Sequence, residues 1–373
     1  MAFYALNMDM CGDRNSDIAL PINNNFDLLL MGSAQNSDEE MNMKLKIMQS
    51  NIWQETTQVP NGFDSLVKFL NKEQPDIILL SEVRNYNKID FQKKLKDALT
   101  NDYYYISTFA MRGPDSGDWD EYGADDTGIM SKYPFIHGGK YQKSTYGVIE
   151  LSDDVRIAVF SLHLDYSKLA QYLPRGHSPD CCEYKKLLSG PVTDETSILE
   201  VEKQSRRFSQ MKEVISFIEK NYSDLPTIIG GDFNTPSFLD WREETKNNFD
   251  RNGAIISWPL TKFLSEKGFL DTYRSIYPDP KKNPGFTWLA NTPKYQHPDI
   301  KDEKIDERER IDFIFSYSKN DKIKINSSYI IGPSGEFISG ESVNRETDSS
   351  KLVYNDSLWF SDHLTLISEI ELR

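Results

Sequence analysis

Cysteine is nearly absent from this chain of 373 residues, which has three: Cys11 and the adjacent pair Cys181 and Cys182. That excludes a disulfide framework and fits a reducing compartment, with a cytoplasmic location expected over a secreted one. A cysteine-poor secreted enzyme would look the same. No stretch approaches the ~18 consecutive apolar residues of a membrane span. The short apolar piece at residues 26–31 is interrupted by Asp27 and lacks a basic leader, so no signal peptide is expected. Basic charge is also scarce, because 43 Lys and Arg against 58 Asp and Glu leave a net charge of −15. Such a surface repels polyanions and disfavours broad electrostatic binding to nucleic acid. A phosphate substrate is not excluded, since carboxylates holding a divalent cation invert the local field. Internal repeats and low-complexity tracts are missing too.

What is present is an ordinary globular composition, 38% apolar and 27% charged. Residues 1–43, rich in Asn, Asp, Ser and Met without periodicity, form an expected appendage, loose or packed on the surface. Residues 44–373 form the expected compact domain. The stretch around which it is organised is residues 225–237, Leu-Pro-Thr-Ile-Ile-Gly-Gly-Asp-Phe-Asn-Thr-Pro-Ser. Its β-branched run from Thr227 to Ile229 predicts a buried strand, ended in a tight turn by Gly230 and Gly231. Asp232 and Asn234 follow, either delivered into a cleft or closing a local Asx turn.

Other strand ends carry polar residues in the same way. Residues 45–53 alternate and end near Asn51, and residues 77–83 read as a strand buried on both faces with Glu82 at its carboxyl end. Residues 155–164 end in Ser161-Leu162-His163-Leu164, then Asp165 and Tyr166. Residues 311–315 alternate from Asp312, and Asp362-His363 lead into a last strand. Helices are predicted where apolar residues recur at helical spacing: from Phe63 to Leu70, over 91–99, from Phe208 to Ile218, and over 260–267. The acidic, turn-rich residues 111–126 read as a substrate-facing loop or a solvated connection. Residues 167–200 read as an inserted surface loop. Its His177, Cys181 and Cys182 lack the spaced pairs of a structural zinc site.

As a set, Asn51, Leu80-Ser81-Glu82, Ser161-Leu162-His163, Gly231-Asp232-Phe233-Asn234, Arg310-Ile311-Asp312-Phe313-Ile314 and Ser361-Asp362-His363 resemble the endonuclease/exonuclease/phosphatase superfamily of DNase-I-like metal-dependent phosphoesterases. The resemblance spans residues 45–370. It implies an α/β fold, a four-layer α/β sandwich with two facing, mostly antiparallel sheets and helices outside. It also implies a divalent-metal-dependent hydrolase of phosphate esters, using Mg²⁺ or Mn²⁺.

In that frame Glu82 is the expected metal ligand, with Asn51 beside it and Asp362 assisting, because Mg²⁺ prefers hard oxygen donors. Asp232 would orient or deprotonate the attacking water, and Asn234 would hold that water or the phosphate. His363 would contact a phosphate oxygen while Asp312 fixes its tautomer. His163 would bind the phosphate or act as an acid toward the leaving group. Asp165 shares a strand face with His163, and so lines the cleft or serves structure. Trp288 would stack on substrate or lie in the core, and Arg112 is a candidate substrate contact.

The acidic loops, with Arg112, Arg175, Arg206 and Arg207 scattered, favour a small phosphoester or head group over a nucleic acid. A nuclease is the alternative, and a non-catalytic binding module of the same fold is the further alternative. The Pro-x-Trp-x-Asp-Arg pattern of inositol phosphatases is not found, and no apolar membrane hairpin like that of sphingomyelinases is evident.

Overall fold

The computed structural model describes residues 43–106, 126–181, 185–290, 305–333, 335–338, 341–344 and 359–373. Arg112, Cys182, the expected appendage at 1–43 except Met43, and most of the 111–126 loop lie outside these residues.

Two six-stranded mixed sheets form the centre. In the first, β11 (Ile323–Ile331), β14 (Thr365–Leu372), β1 (Met43–Asn51), β2 (Ile77–Ser81), β4 (Thr127–Ser131) and β3 (Tyr104–Ile106) lie side by side in that order. In the second, the order is β5 (Phe135–Tyr141), β6 (Ser144–Ser152), β7 (Val155–His163), β8 (Thr227–Asp232), β10 (Asp312–Tyr317) and β9 (Leu270–Asp271). A small hairpin pairs β12 (Gly335–Ile338) with β13 (Glu341–Asn344).

Each sheet has a single parallel pair, β1 with β2 and β7 with β8, and all other pairings are antiparallel. This geometry positions the site. Parallel strands finish at the same end, so Asn51 pairs with Ser81 and His163 pairs with Asp232. The antiparallel β10 and β14 start at that end, which is why Asp312 opposes Asp232 and His363 stands two residues before β14.

Period-two alternation explains why the second sheet is buried on both faces. Ile157 and Val159 point into the core shared with Ile47, Leu79 and Ile129 of the first sheet. Ala158, Phe160 and Leu162 point outward. They pack under α4 (Arg207–Asn221) and α5 (Pro259–Glu266) through Met211, Val214, Ile215, Leu260 and Leu264. On the far side, α1 (Gly62–Glu73) and α2 (Phe91–Ala98) bring Leu66, Phe69, Leu70, Phe91 and Leu95 against the first sheet. Short helices α3 (Glu195–Glu202) and α6 (Thr272–Ile276) complete the described helices.

Near the site the two sheets meet through hydroxyls. Ser81 Oγ donates to Leu162 O and Ser161 Oγ donates to Leu80 O, both at 2.9 Å. This close approach corrects the expectation for Gly230 and Gly231, which lie inside β8 and do not end it. A Cβ at Gly230 would come within 2.6 Å of Leu79 Cδ1, and at Gly231 within 2.0 Å of Leu162 O. The glycines are there for contact between strands, and the chain turns later, at Asn234 with φ 53°.

The insertion is also corrected. Residues 170–175 are buried, with Ala170 and Leu173 packed against Trp241, Ile256 and Trp258.

Candidate active site

Asp232 is the centre of the site. Its Oδ1 accepts the Asn234 amide at 2.9 Å, which is an Asx turn. Its Oδ2 faces the cleft, 3.8 Å from His163 Nε2 and 3.7 Å from His363 Nε2. The two readings of this loop therefore hold together, one on each oxygen. Asn51 Nδ2 bridges Asp232 Oδ2 and Glu82 Oε1, at 3.1 Å to each. Asn234 Nδ2 donates to Leu164 O at 3.1 Å, which fixes the carboxamide beside the end of β7.

Each histidine has an acid behind it. His363 Nδ1 lies 2.8 Å from Asp312 Oδ2, and Asp312 is held in turn by Gln49 Nε2 at 3.0 Å and by its own amide on Thr287 Oγ1 at 3.0 Å. His163 Nδ1 stands 2.9 Å from Asp126 Oδ1, in ion-pair range but without good hydrogen-bond alignment. Asp126 also receives Arg84 at 2.7 Å. Sequence reasoning passed over both Arg84 and Asp126. The available signal was their position, two residues past Glu82 and immediately before the Thr127 strand.

The loop after β1 is unusual, because Trp53, Gln54, Glu55 and Thr56 all have positive φ, as does Glu82. Left-handed backbone is unfavourable for such residues and persists where surrounding bonds over-determine it. Here the Gln54 amide donates to Glu82 Oε2 at 2.7 Å and the Trp53 amide to Asn51 Oδ1 at 2.9 Å. The Glu55 amide donates to Glu82 O at 3.2 Å. The two left-handed pieces hold each other and aim the Glu82 carboxylate.

Burial dominates the electrostatics. It raises the Asp232 pKa to about 6, aided by the Asp312 charge and opposed by His363 and His163. Burial likewise raises Asp362 to about 7, with His363 opposing the rise and Glu82 adding to it. For His363 burial lowers the pKa, but Asp312 and Asp362 outweigh it and lift the imidazole to about 10. His163 is raised in the same sense: burial opposes, and Asp126 overcomes it.

Glu82 and Asp362 are hard-oxygen donors that repel each other at the edge of this cleft, a donor set that fits a divalent cation. Among the described residues, Asp232, Asp312 and His363 also bring one ligand atom each within 4.8 Å of one another. There the His363–Asp312 hydrogen bond already occupies Nδ1.

Asp165 is engaged locally. Its carboxylate accepts the amides of Ser167 at 2.8 Å and Arg206 at 2.7 Å. Trp288 is half-buried at the rim, its backbone bridged to Glu309 and His363 and its ring 6.5 Å from that of His363, centroid to centroid. Arg175 and Arg207, considered as scattered phosphate contacts, are buried. Arg175 pairs with Glu309 at 2.7 Å, and Arg207 pairs with Glu202 and donates to Asp165 O at 2.9 Å. His177 Nδ1 lies 2.9 Å from Arg175 O.

Residues 48–363 match the model of the endonuclease/exonuclease/phosphatase family. The chain belongs to that family. An uncharacterized protein, F14F9.5 of Caenorhabditis elegans, is 30% identical over 274 residues, covering 73% of this chain and 78% of its own. Solved structures with similarity include a family protein from Leptotrichia buccalis (16% identity, TM-score 0.46, covering 88% of this chain and 100% of that one). D. rerio TDP2 complexed with single-strand DNA product is another (16% identity, TM-score 0.48, covering 88% and 98%). The fold is that of phosphoesterases and nucleases. Among the described residues, no helix is long and apolar enough to cross a membrane.

Proposed function

We propose that this chain is a divalent-metal-dependent hydrolase of phosphate esters acting on a small or head-group substrate. The observation that carries this reading is the Asp232 carboxylate, which stands between two histidine Nε2 atoms, each histidine backed by its own acid. Phosphoryl transfer needs charge neutralisation at the phosphoryl oxygens, an aligned water, and help for the leaving oxygen. Glu82 and Asp362, with Asn51 beside them, would hold Mg²⁺ or Mn²⁺, which supplies that charge neutralisation. Asp232 Oδ2 faces the cleft and accepts a proton from water or orients it. His363, kept doubly protonated by Asp312 on Nδ1, donates its Nε2–H to a phosphoryl oxygen. His163, paired with Asp126, is positioned on the opposite side to bind the phosphate or protonate the leaving group. Asn234 fixes the loop through Leu164 O while remaining beside the water.

The test is hydrolysis of bis-p-nitrophenyl phosphate, p-nitrophenyl phosphate and plasmid DNA with Mg²⁺ or Mn²⁺, alongside Glu82→Ala. Metal-dependent cleavage of the small esters, lost in the variant, is expected. Cleavage of plasmid instead would make the chain a nuclease. No hydrolysis of any of the three, with the fold intact, would refute the assignment in favour of a binding module.

A further inference from the structure

Residues 45, 47, 49 and 51 of β1 share one face, turned toward the second sheet. Leu45 and Ile47 belong to the core there, and Asn51 belongs to the site. Gln49 stands between them with no exposure to solvent. Its Nε2 crosses the sandwich and donates to Asp312 Oδ1 at 3.0 Å, joining residues 263 apart in the chain. Its Oε1 is buried and meets no donor among the described residues. Turning the amide over would set carbonyl oxygen against carboxylate, so Asp312 dictates the orientation and the orphan acceptor follows from it. An unsatisfied buried acceptor is costly, and an aliphatic side chain would continue the row of Leu45 and Ile47 without one. The packing of Gln49 does not account for its presence; its bond to Asp312 does.

Thr287 fixes the backbone of the Asp312–His363 pair. Its Oγ1 accepts the amides of Ile311 and Asp312 at 3.1 and 3.0 Å, and its carbonyl accepts the amide of Leu364, next to His363, at 2.6 Å. What the backbone leaves undetermined is the rotation of the Asp312 carboxylate. Gln49 holds one of its oxygens, and His363 Nδ1 meets the other at 2.8 Å in good alignment. The other histidine gives the contrast. His163 Nδ1 and Arg84 Nη1 both approach Oδ1 of Asp126, at 2.9 and 2.7 Å, and neither contact is aligned as a hydrogen bond. At nearly equal distances, the aligned pair is the one whose far oxygen is held by an amide.

We infer that Gln49 is a positioning residue for the proposed hydrolysis. From the opposite sheet it sets the Asp312 carboxylate, and through that carboxylate the direction in which His363 aims its Nε2–H. This rests on the proposed function and adds a residue to it that, being fully buried, acts only through Asp312. Without Gln49 the carboxylate would be free to turn, and the imidazole would lose its fixed partner while staying in the site. A catalytic group displaced by a fraction of an ångström loses rate without losing its chemistry.

The test uses Gln49→Met, which keeps the side-chain length and removes the donor, and Gln49→Asn, whose amide stops one methylene short. The His363 ring of the full chain is read by NMR in EDTA at pH 7, from its Nδ1–H resonance and its ring nitrogen shifts. The native chain should show a protected Nδ1–H. Both variants should shift or lose it, while the buried ring of His177 keeps its native shifts. With Mg²⁺ and bis-p-nitrophenyl phosphate, kcat should fall about 10–100-fold at unchanged KM. A native His363 signal in either variant, a raised KM at native kcat, or equal disturbance of His177 would each overturn the role. No hydrolysis by the native chain would remove the proposed function, while a changed His363 signal would still uphold Gln49 as the residue that sets the pair. Hydrolysis unaffected by either variant would remove Gln49 and leave the function standing.

Discussion

Replacing Asp312 by Asn removes one charge and almost no volume, and so isolates what that charge does for His363. Burial alone would push this imidazole below its ordinary pKa of 6.5. Asp312, 2.8 Å from Nδ1, is the largest of the opposing influences that lift it to about 10. At ~1.4 kcal/mol per pH unit, retaining the proton over that range corresponds to about 5 kcal/mol. Breaking a buried ion pair typically costs ~3–5 kcal/mol, a similar magnitude. A cation whose folded pKa is raised contributes its stability fully below the unfolded pKa and loses it as pH rises through the folded value. The stability gap between native protein and Asp312→Asn should therefore be several kcal/mol at pH 6 and close toward pH 10. Urea midpoints of EDTA-treated protein at pH 6, 8 and 10 measure this, and NMR titration of the His363 ring follows the imidazole directly. The Asn amide would donate to Nδ1 and leave a neutral ring with its one proton on Nε2, so the positive charge that would meet the phosphoryl oxygens is lost. Metal-dependent hydrolysis should then fall by about 10²–10⁴-fold, the usual share of a positioned acid or base. A ring still titrating near 10 in the variant, or a gap constant with pH, would refute the coupling.

Three further outcomes follow from packing and burial. Gly230→Ala would press a methyl against Leu79 Cδ1, so a loss of ~1–3 kcal/mol in denaturant stability is expected. Adding Leu79→Ala should recover part of that loss, and additive losses in the double variant would count against the contact. Burial raises Glu307 to about 7 even though the Tyr172 hydroxyl donates to it at 2.8 Å. Its raised pKa means that stability present below 4.5 is lost as pH rises through 7. Glu307→Gln should thus melt higher than the native protein at pH 8.5 and equally at pH 4.5, and the opposite order would defeat the argument. Arg310→Met strips the shared partner from Asp240 and Asp271, at 2.8 and 2.7 Å, and should cost ~3–5 kcal/mol by urea denaturation.

The strands that deliver the site were legible because burial on both faces leaves a plain mark in the residues. The run 77–81 is uniformly apolar up to its last residue, and every residue of it is buried. The polar residue that follows such a run is conspicuous. What could not be read was anything that depends on which charges meet. Arg175, Arg207 and Arg310 look like solvated cations in the sequence, yet each is buried against an acid 134, 5 or 70 residues away. The Gly230-Gly231 pair misled for a related reason. Glycine marks either a turn or a close approach, and only the approach of Leu79 from the facing sheet and Leu162 from the neighbouring strand distinguishes the two.

The same limit hid Asp126. It ends an acidic, turn-rich stretch, and only its place immediately before the Thr127 strand separates it from its neighbours. Its role comes from register. β4 pairs with β2 so that Thr127 opposes Ser81, which brings Asp126 level with Glu82, whose amide donates to Asp126 O at 2.7 Å. Across the sandwich, Thr127 Oγ1 meets Thr145 Oγ1 at 2.8 Å, and Thr145 on β6 pairs with Ser161 on β7, two residues before His163. A slip of one residue in β4, whose residues are all buried, would exchange its two packed faces and carry Asp126 away from His163 together. Core alternation thus holds the acid behind this histidine in place. It follows that the second His–acid pair is built by sheet register, whereas Asp312 and His363 stand at the starts of two strands that enter from the same rim.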